Sequence, residues 1–315
     1  MQNHLIIDVP YWYINCFNKY KVKAMEERSV QNHPCFCVKS HFKYARIHLP
    51  VAPGCNIKCK YCNRKFDCTN ESMPGVTSKL LTPDEALERV NLFVEKEKNL
   101  SVVGIAGPGD PLANPHKTFK TFNLIRKKYP EMLLCLSTNG LLISKYINEI
   151  KAHNITHVTV TLNTVNPITA LNIYEYITFE GKKYRDIKGM KMFLEQQLEG
   201  IKKLVEANIL VKINTVLIPS INMLEIENIS KTIKSLDVKI HNITGLIVKK
   251  EHNTTFAKED VRCPYKDEVN KARQISANIF GSYSYIMHHC KQCRADSAGL
   301  LTDIDKYNPE REVIL

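Results

Sequence analysis

ARIHLPVAPGCNIKCKYC, residues 45–62, joins a run of strand-forming residues directly to three closely spaced cysteines. Its first eight residues, ARIHLPVA (45–52), are typical of a buried strand. The cysteines that follow have the spacing C-x-x-x-C-x-x-C, which offers little to a hydrophobic core and suits a metal cluster. The stretch therefore predicts a strand whose carboxyl end carries a metal-binding loop.

Further strands and helices alternate along the chain after this loop. Amphipathic helices are predicted at 118–129, 144–153, 189–208 and 223–236, and another begins at the Thr82-Pro83-Asp84-Glu85 capping sequence. The other strand candidates are SVVGIAG (101–107), MLLCLSTN (132–139), HVTVTLN (157–163), LVKINTVLI (210–218) and KIHNITGLIV (239–248). Alternating β and α units imply a parallel sheet with helical crossovers, and six units favour an α/β fold of the partial (β/α)6 TIM type over a full eight-fold barrel.

The 315 residues are interpreted as a single domain built around this barrel. Residues 1–43 form an N-terminal extension, 44–250 the barrel core and 251–315 a C-terminal extension. We expect both extensions to fold over the mouth of the barrel, at the C-terminal strand ends, and to supply ligands there.

Composition narrows the class of protein. The apolar content of 44% and the charged content of 24% are those of a soluble globular protein, and no apolar run is long enough for a membrane helix. The N-terminus has no recognisable export signal, so we expect a cytoplasmic protein. Eleven cysteines in a reducing compartment favour metal or redox chemistry over disulfides. The net charge of +12 comes from scattered lysines, which favour coding bias over a nucleic-acid footprint.

Two glycine-bearing turns lie on the same predicted rim as the cysteine loop. GIAGPGDPL follows the second strand and STNG ends the third. The C-terminal ends of barrel strands carry the chemistry of this fold, so the loop and both turns are expected to border one site.

CNIKCKYC, GIAGPGDPL and STNG together resemble the radical S-adenosylmethionine (SAM) superfamily. The resemblance implies that Cys55, Cys59 and Cys62 hold three irons of a [4Fe-4S] cluster whose fourth iron binds SAM. It also implies cofactor contacts from Tyr61, from the turn formed by Gly107, Pro108, Gly109 and Asp110, from Ser137, Thr138 and Asn139, and from Asn163 and Asn214.

Four longer segments resemble the NifB family of nitrogenase cofactor maturases. They are HPCFCVKSHFKYARIHLPVAPGCNIKCKYCNRKFDCTNESMPGV (33–76), VVGIAGPGDPLANPHKTF (102–119), LCLSTNGLL (134–142) and CKQCRADSAGLL (290–301). The family's activity is to fuse two [4Fe-4S] clusters into the eight-iron precursor of the iron-molybdenum cofactor, with insertion of a SAM-derived carbide and an added sulfur. The resemblance thus implies SAM, one SAM-binding cluster and two substrate clusters.

The same resemblance implies ligands for the substrate clusters. Cys68, Cys290 and Cys293 are expected to hold one, and Cys35 and Cys135 the other together with a histidine, either His33 or His41. Glu71 is expected to ligate or to accept protons during cluster remodelling. Cys16, Cys37 and Cys263 have no expected role.

The resemblance also carries expectations about form and partners. No NifX-like domain is recognisable, so a stand-alone form is expected. Partners implied are proteins that donate clusters, proteins that carry or scaffold the product, and an electron donor such as a ferredoxin. Neither a membrane nor a nucleic acid is expected as a partner.

Two alternatives remain open from the sequence. A radical SAM enzyme with auxiliary clusters could act on RNA or a peptide, and the positive charge would then be a footprint. A zinc-stabilised binding module could use Cys59, Cys62, Cys290 and Cys293 as paired ligands. Iron and sulfide analysis of anaerobically purified protein separates the cluster enzyme from the zinc module.

Overall fold

A computed structural model describes residues 32–62, 79–290 and 292–301 of the chain. The strands are β1 (Ala45–His48), β2 (Ile57–Cys59), β3 (Leu100–Ile105), β4 (Leu133–Thr138), β5 (His157–Thr161), β6 (Tyr174–Phe179), β7 (Lys182–Tyr184), β8 (Leu210–Leu217), β9 (Ile240–Gly245) and β10 (Ala298–Gly299). The α-helices are α1 (Val38–His41), α2 (Pro83–Lys96), α3 (Pro115–Lys128), α4 (Ile143–Ala152), α5 (Pro167–Ile173), α6 (Ile187–Glu206), α7 (Pro219–Asn222), α8 (Ile226–Ser235), α9 (Thr255–Lys258) and α10 (Lys266–Phe280).

A curled sheet of six parallel strands forms the centre of the fold. Its order is β1-β3-β4-β5-β8-β9, and every neighbouring pair is parallel. These are the six strands predicted from the sequence, so the partial barrel is confirmed. Helices connect them, as parallel crossovers require.

Helix α2 begins at the predicted cap. Thr82 accepts a hydrogen bond from the Glu85 amide, and the Glu85 carboxylate accepts one from the Thr82 amide, which completes a capping box at the start of α2. The predicted helix over 223–236 is divided, because a 3-10 turn at Met223–Glu225 precedes α8.

The two faces of the sheet differ in polarity. Outward-facing residues such as Ile47, Leu136 and Ile213 are fully buried in the main apolar core, beneath the helices. The alternate, inward-facing positions carry polar groups: Arg46, His48, Cys135, Ser137, His157, Thr159, Lys212 and Asn214. Barrel interiors are ordinarily filled with branched apolar side chains, so this interior is built for chemistry rather than for packing.

A small antiparallel sheet, absent from the sequence prediction, supports the cysteine loop. Its order is β2-β6-β7, with Ile57 opposite Ile177 and Lys58 opposite Tyr176. β2 is therefore part of the cysteine loop itself, and β6 and β7 form a hairpin between α5 and α6 that holds it in place.

The described part of the N-terminal extension, residues 32–43, lies at the N-terminal end of the barrel and not over its mouth, as had been predicted for the extension; residues 1–31 lie outside the described residues. The Ser101 hydroxyl donates to the Asn32 carbonyl, and Phe36 packs among Val102, Leu133, Leu210 and Ile240, all of them at or near the first residues of their strands. The segment therefore closes the N-terminal end of the barrel. Phe36 accounts for this position, because its ring packs at the N-terminal end of the barrel interior.

The C-terminal segment closes the side of the barrel instead of its mouth. Ile286 forms a bridge with His241 near the start of β9, and β10 pairs antiparallel with β1. Residues 286–290 and 292–299 thus run from β9 across to β1, between the edge strands. Among the described residues, no helix is long and apolar enough to cross a membrane.

Candidate functional site: two cavities in the barrel

The first cavity, here named the rim cavity, lies at the C-terminal ends of the strands. It brings together the three cysteines of the loop with both glycine-bearing turns, as the sequence predicted. Its lining consists of Cys55, Ile57, Lys58, Cys59, Cys62, Ala106, Pro108, Gly109, Asp110, Ser137, Thr138, Asn139 and Thr161.

Close backbone contacts fix the start of the cysteine loop against the turn after β3. The Gly109 amide donates to the Ala52 carbonyl (2.6 Å), and the Asp110 amide donates to the Gly54 carbonyl (2.8 Å). A Cβ at position 109 would lie 2.0 Å from the Gly54 carbonyl oxygen, so only glycine fits there. Asn114 completes the contact by exchanging two hydrogen bonds with Gly54.

Asp110 joins this turn to the end of β4. One carboxylate oxygen accepts from the Leu112 and Ala113 amides, and the other accepts from the Thr138 hydroxyl (2.8 Å) and the Asn139 amide (2.6 Å). Burial raises the pKa of Asp110, while these hydrogen bonds act in the opposite direction. Both oxygens are engaged within the protein, so the side chain organises the rim.

Asn139 connects the end of β4 to the cysteine loop. Its side-chain amide donates to Asn56 (2.7 Å) and lies 3.8 Å from the Cys55 sulfur. Gln197 of α6, which sequence reasoning missed, donates to the carbonyls of Asn139 (2.6 Å) and Thr161 (2.7 Å). Gln197 is fully buried. An amide side chain on the apolar face of the helix predicted at 189–208 could have identified it.

Burial favours the protonated form of the Cys59 thiol. Burial raises the pKa of Cys59 well above its usual value, and the neighbouring thiols of Cys62 and Cys55 raise it further. Three neighbouring thiolates repel one another, and this repulsion is reduced when positive iron replaces their protons. The donor set therefore fits an iron-sulfur cluster.

The second cavity, here named the interior cavity, lies below the first, between the strands and the N-terminal segment. Ser137 lines both cavities, so they adjoin along the barrel axis. The interior cavity is lined by His33, Cys35, His48, Val102, Cys135, Ser137, Thr159, Lys212, Asn214, Met287, Cys290, Cys293 and Leu301. It thus gathers cysteines from both of the predicted substrate-cluster ligand sets.

Two buried cations accompany these thiols. Arg46 is fully buried, and its guanidinium donates to the Cys293 sulfur and to the Gly299 carbonyl (3.2 Å). Lys212 is 5% exposed and lies over the Phe36 ring, 5.1 Å from its centroid. Burial raises the pKa of Cys35 to about 11, although Lys212 and Arg46 act to lower it.

The structure separates the two candidate histidines. His33 lines the interior cavity, and its Nδ1 accepts from the Cys35 amide (3.1 Å). Burial, followed by the neighbouring His157, holds the pKa of His33 well below its usual value, so the ring is neutral. Its Nε2 is buried without a hydrogen-bond partner among the described residues. His41 lies outside both cavities, with its ring 5.0 Å from that of His289.

Other predicted site residues lie in different places. Tyr61 and Asn163 are buried beneath the loop, where the Asn163 amide donates to the Tyr61 hydroxyl (2.7 Å). Asn214 lines the interior cavity and accepts from Asn242 (2.9 Å). Cys68 and Glu71 lie outside the described residues, as does Cys16, so their roles stay predictions.

Cys37 and Cys263, for which no role was expected, line neither cavity. Cys37 precedes α1, and the Cys263 thiol exchanges hydrogen bonds with the backbone of Val248. Within residues 32–62, 79–290 and 292–301, no three His, Cys, Asp or Glu side chains are grouped so as to hold a single metal ion.

A family model and curated relatives match this chain. Residues 49–233 match the model of the Radical SAM superfamily. The FeMo cofactor biosynthesis protein NifB of Frankia alni is 44% identical over 291 residues, which are 90% of this chain and 57% of that protein. NifB of Azotobacter vinelandii is 43% identical over 272 residues, which are 86% of this chain and 53% of that protein. The chain thus spans little more than half the length of these relatives.

A solved structure shares the fold. Hexahistidine-tagged anSMEcpe with bound AdoMet superposes with a TM-score of 0.50 and 20% sequence identity, over 76% of this chain and 62% of that chain. At that identity the likeness concerns the fold alone, and it agrees with the partial barrel described above.

Proposed function

Because this chain belongs to the radical SAM superfamily and is a relative of NifB, we propose that it fuses two [4Fe-4S] clusters into the eight-iron precursor of the nitrogenase cofactor, inserting a SAM-derived carbide and an added sulfur. Membership in the superfamily implies SAM and one [4Fe-4S] cluster. The two substrate clusters and the product belong to the proposal.

In the rim cavity, Cys55, Cys59 and Cys62 are proposed to hold the SAM-binding cluster. Bound there and reduced, it supplies the electron that cleaves SAM to methionine and a 5'-deoxyadenosyl radical. The protein would orient the cluster and SAM. The Asp110 carboxylate and the Gln197 amide would hold the ends of β3, β4 and β5 in place around the cofactor.

In the interior cavity, Cys35, Cys135 and His33 are proposed as ligands of one substrate cluster. Cys290 and Cys293, with Cys68 and with Glu71 close to it in sequence, are proposed for the other. The neutral His33 can give a nitrogen lone pair to iron once its bond to the Cys35 amide is exchanged. Mixed thiolate and imidazole ligation suits cargo that has to leave, because no closed set of four thiolates retains it.

One observation carries the proposal: the thiol-lined interior cavity adjoins the rim cavity at Ser137. A group transferred from SAM then has only one layer of strand residues to pass. Cluster-donor proteins, a carrier or scaffold for the product, and a reductant such as a ferredoxin are the proposed partners, and a cytoplasmic location accompanies them.

Anaerobic reconstitution tests the proposal. The chain is incubated with iron, sulfide, SAM and a reductant, and the product is added to nitrogenase that lacks its cofactor. We expect nitrogenase activation that depends on SAM and on Cys59. SAM cleavage without activation would indicate a radical SAM enzyme with another substrate, such as RNA or a peptide.

A further inference from the structure

Two buried cations that the proposed ligand set does not use lie at the interior cavity: Lys212 lines it, and Arg46 contacts Cys293, which lines it. Arg46 is fully buried and Lys212 is 5% exposed, and both point inward from strands on opposite sides of the cavity, β1 and β8. Buried cations are costly unless an anion compensates them. Their presence at the centre of the barrel therefore needs an explanation.

Thiols accompany these cations in the described lining of the interior cavity. The described residues that line the interior cavity include no Asp or Glu. Arg46 donates to the Cys293 sulfur. Cys293, Cys35 and Cys290 raise the pKa of Arg46, more than offsetting the largest influence, burial, which acts to lower it. His48, which also lines the cavity, adds no positive charge, because burial lowers its pKa to about 3.

We propose that Arg46 and Lys212 are positioning residues that retain an anionic, thiolate-bound iron-sulfur cargo in the interior cavity by its charge. This inference rests on the proposed function and adds the means by which cargo is held. Iron-sulfur clusters bound by thiolates are anionic, and fixed cations in a low-dielectric interior attract them strongly. Arg46 also directs Cys293 by its hydrogen bond, as outer-shell partners of metal ligands do.

Retention by charge has a consequence for release. A reduced cargo carries one more negative charge than an oxidised one, so the cations hold it more tightly. Oxidation of the cargo weakens that hold without breaking a thiolate bond. The interior cavity therefore holds a cargo of greater negative charge more tightly.

Lys212 provides the test, because it can be replaced without removing a ligand. The background is the full chain with Cys55, Cys59 and Cys62 changed to Ala, so that bound iron reports on the remaining sites. Lys212→Met removes the charge at similar length, and Lys212→Arg keeps it. Lys191→Met, at an exposed ion pair on α6, is the matched control. After anaerobic reconstitution, the rate of iron loss to a chelator and the midpoint potential of the bound cluster are measured.

In this background, Lys212→Met is expected to lose iron about tenfold faster and to show a lower midpoint potential, because a nearby positive charge is gone. Lys212→Arg and Lys191→Met are expected to behave like the parent. The iron-free Lys212→Met chain is expected to be at least as stable as its parent, since a buried charge has been removed. A purely structural lysine would show the reverse, with a less stable iron-free chain. Lys212→Gln repeats the test if the Met variant does not fold.

Two results overturn the inference in distinguishable ways. Equal iron loss and equal midpoint potential in Lys212→Met and its parent would contradict the role of Lys212, while leaving cluster binding in place. A parent that takes up no iron at all would contradict both this inference and the proposed interior ligands.

Discussion

His33 and His41 show what a single residue's position adds to its identity. The sequence could not choose between them, because both match the same family segment. The structure places His33 in the interior cavity beside Cys35 and leaves His41 against His289, outside it. The distinction arises from the short turn at residues 33–37, in which the Phe36 and Cys37 amides donate to the His33 carbonyl and turn its side chain inward.

Replacing these histidines separately gives the first prediction. His33→Ala is expected to lower the iron content of the reconstituted chain by about four atoms, the content of one cubane. His41→Ala, at a residue that is also buried, is the control and should retain wild-type iron. Iron and sulfide analysis with electron paramagnetic resonance makes the comparison. The opposite pattern, with iron lost only from His41→Ala, would refute the assignment of His33.

Polar residues at alternate positions of the buried strands indicate the interior cavity, and this pattern was used in the sequence analysis only for Cys135. Cys135 was expected to face a site because it precedes the rim turn of the third strand, and it does line the interior cavity. The same alternation applies to Arg46 in β1 and Lys212 in β8, two charges at positions of buried strands. Their roles could not be derived because their partners, such as Cys293, are 247 residues away in the chain.

At the scale of elements, strands and crossover helices were predictable because their pattern is local. The six parallel strands begin and end within a few residues of their predicted bounds. The β6 and β7 hairpin was not predicted, since β7 has only three residues and β6 depends on pairing with β2. The path of the N-terminal segment was wrong for a similar reason: its place is set by the packing of Phe36 across four strands.

The contact between the turn after β3 and the cysteine loop yields the second prediction. Gly109→Ala places a Cβ 2.0 Å from the Gly54 carbonyl oxygen, so the two backbones have to separate. We expect a loss of about 1–3 kcal/mol in the free energy of unfolding, as for other overpacked sites, together with weaker iron retention by the rim cysteines. Denaturant titration and iron analysis measure the two effects.

Gly181→Ala is the control for that substitution. It adds a Cβ in the hairpin between β6 and β7, where nothing lies within 4 Å, and strains only a backbone with φ of +75°. Its cost should be about 1–2 kcal/mol, with iron retention unchanged. If Gly109→Ala retained iron as well as Gly181→Ala does, the two backbones would not need their close approach.

Helix α6 yields the third prediction through Gln197. Gln197→Leu leaves the carbonyls of Asn139 and Thr161 without their donor, so the ends of β4 and β5 lose a shared support. Unpaired buried carbonyls cost about 1–3 kcal/mol, and we expect the dissociation constant of SAM to rise by about tenfold. Gln196→Leu, at the adjacent half-buried position, should leave SAM binding unchanged. Equal affinities in both variants would argue against a role of α6 in the rim.

At the scale of the whole molecule, the barrel contains the rim cavity and the interior cavity, one below the other along its axis. Its C-terminal end presents the cysteine loop, its interior holds thiols and cations, and the N-terminal segment closes the floor. The C-terminal segment seals the side by pairing with β1 and bridging to β9. Under the proposed function, such an arrangement would place the SAM-binding cluster next to the substrate clusters.

The proposed function requires a carbon atom to pass from SAM in the rim cavity to iron-sulfur cargo in the interior cavity. The most direct measurement follows SAM labelled in its methyl group through anaerobic turnover and quantifies the label in the isolated iron-sulfur product. We predict label in the product of the wild-type chain and none from a Cys35→Ala, Cys135→Ala double variant that still cleaves SAM. Label that reaches the product equally in the double variant, or a wild-type product free of label, would contradict the account.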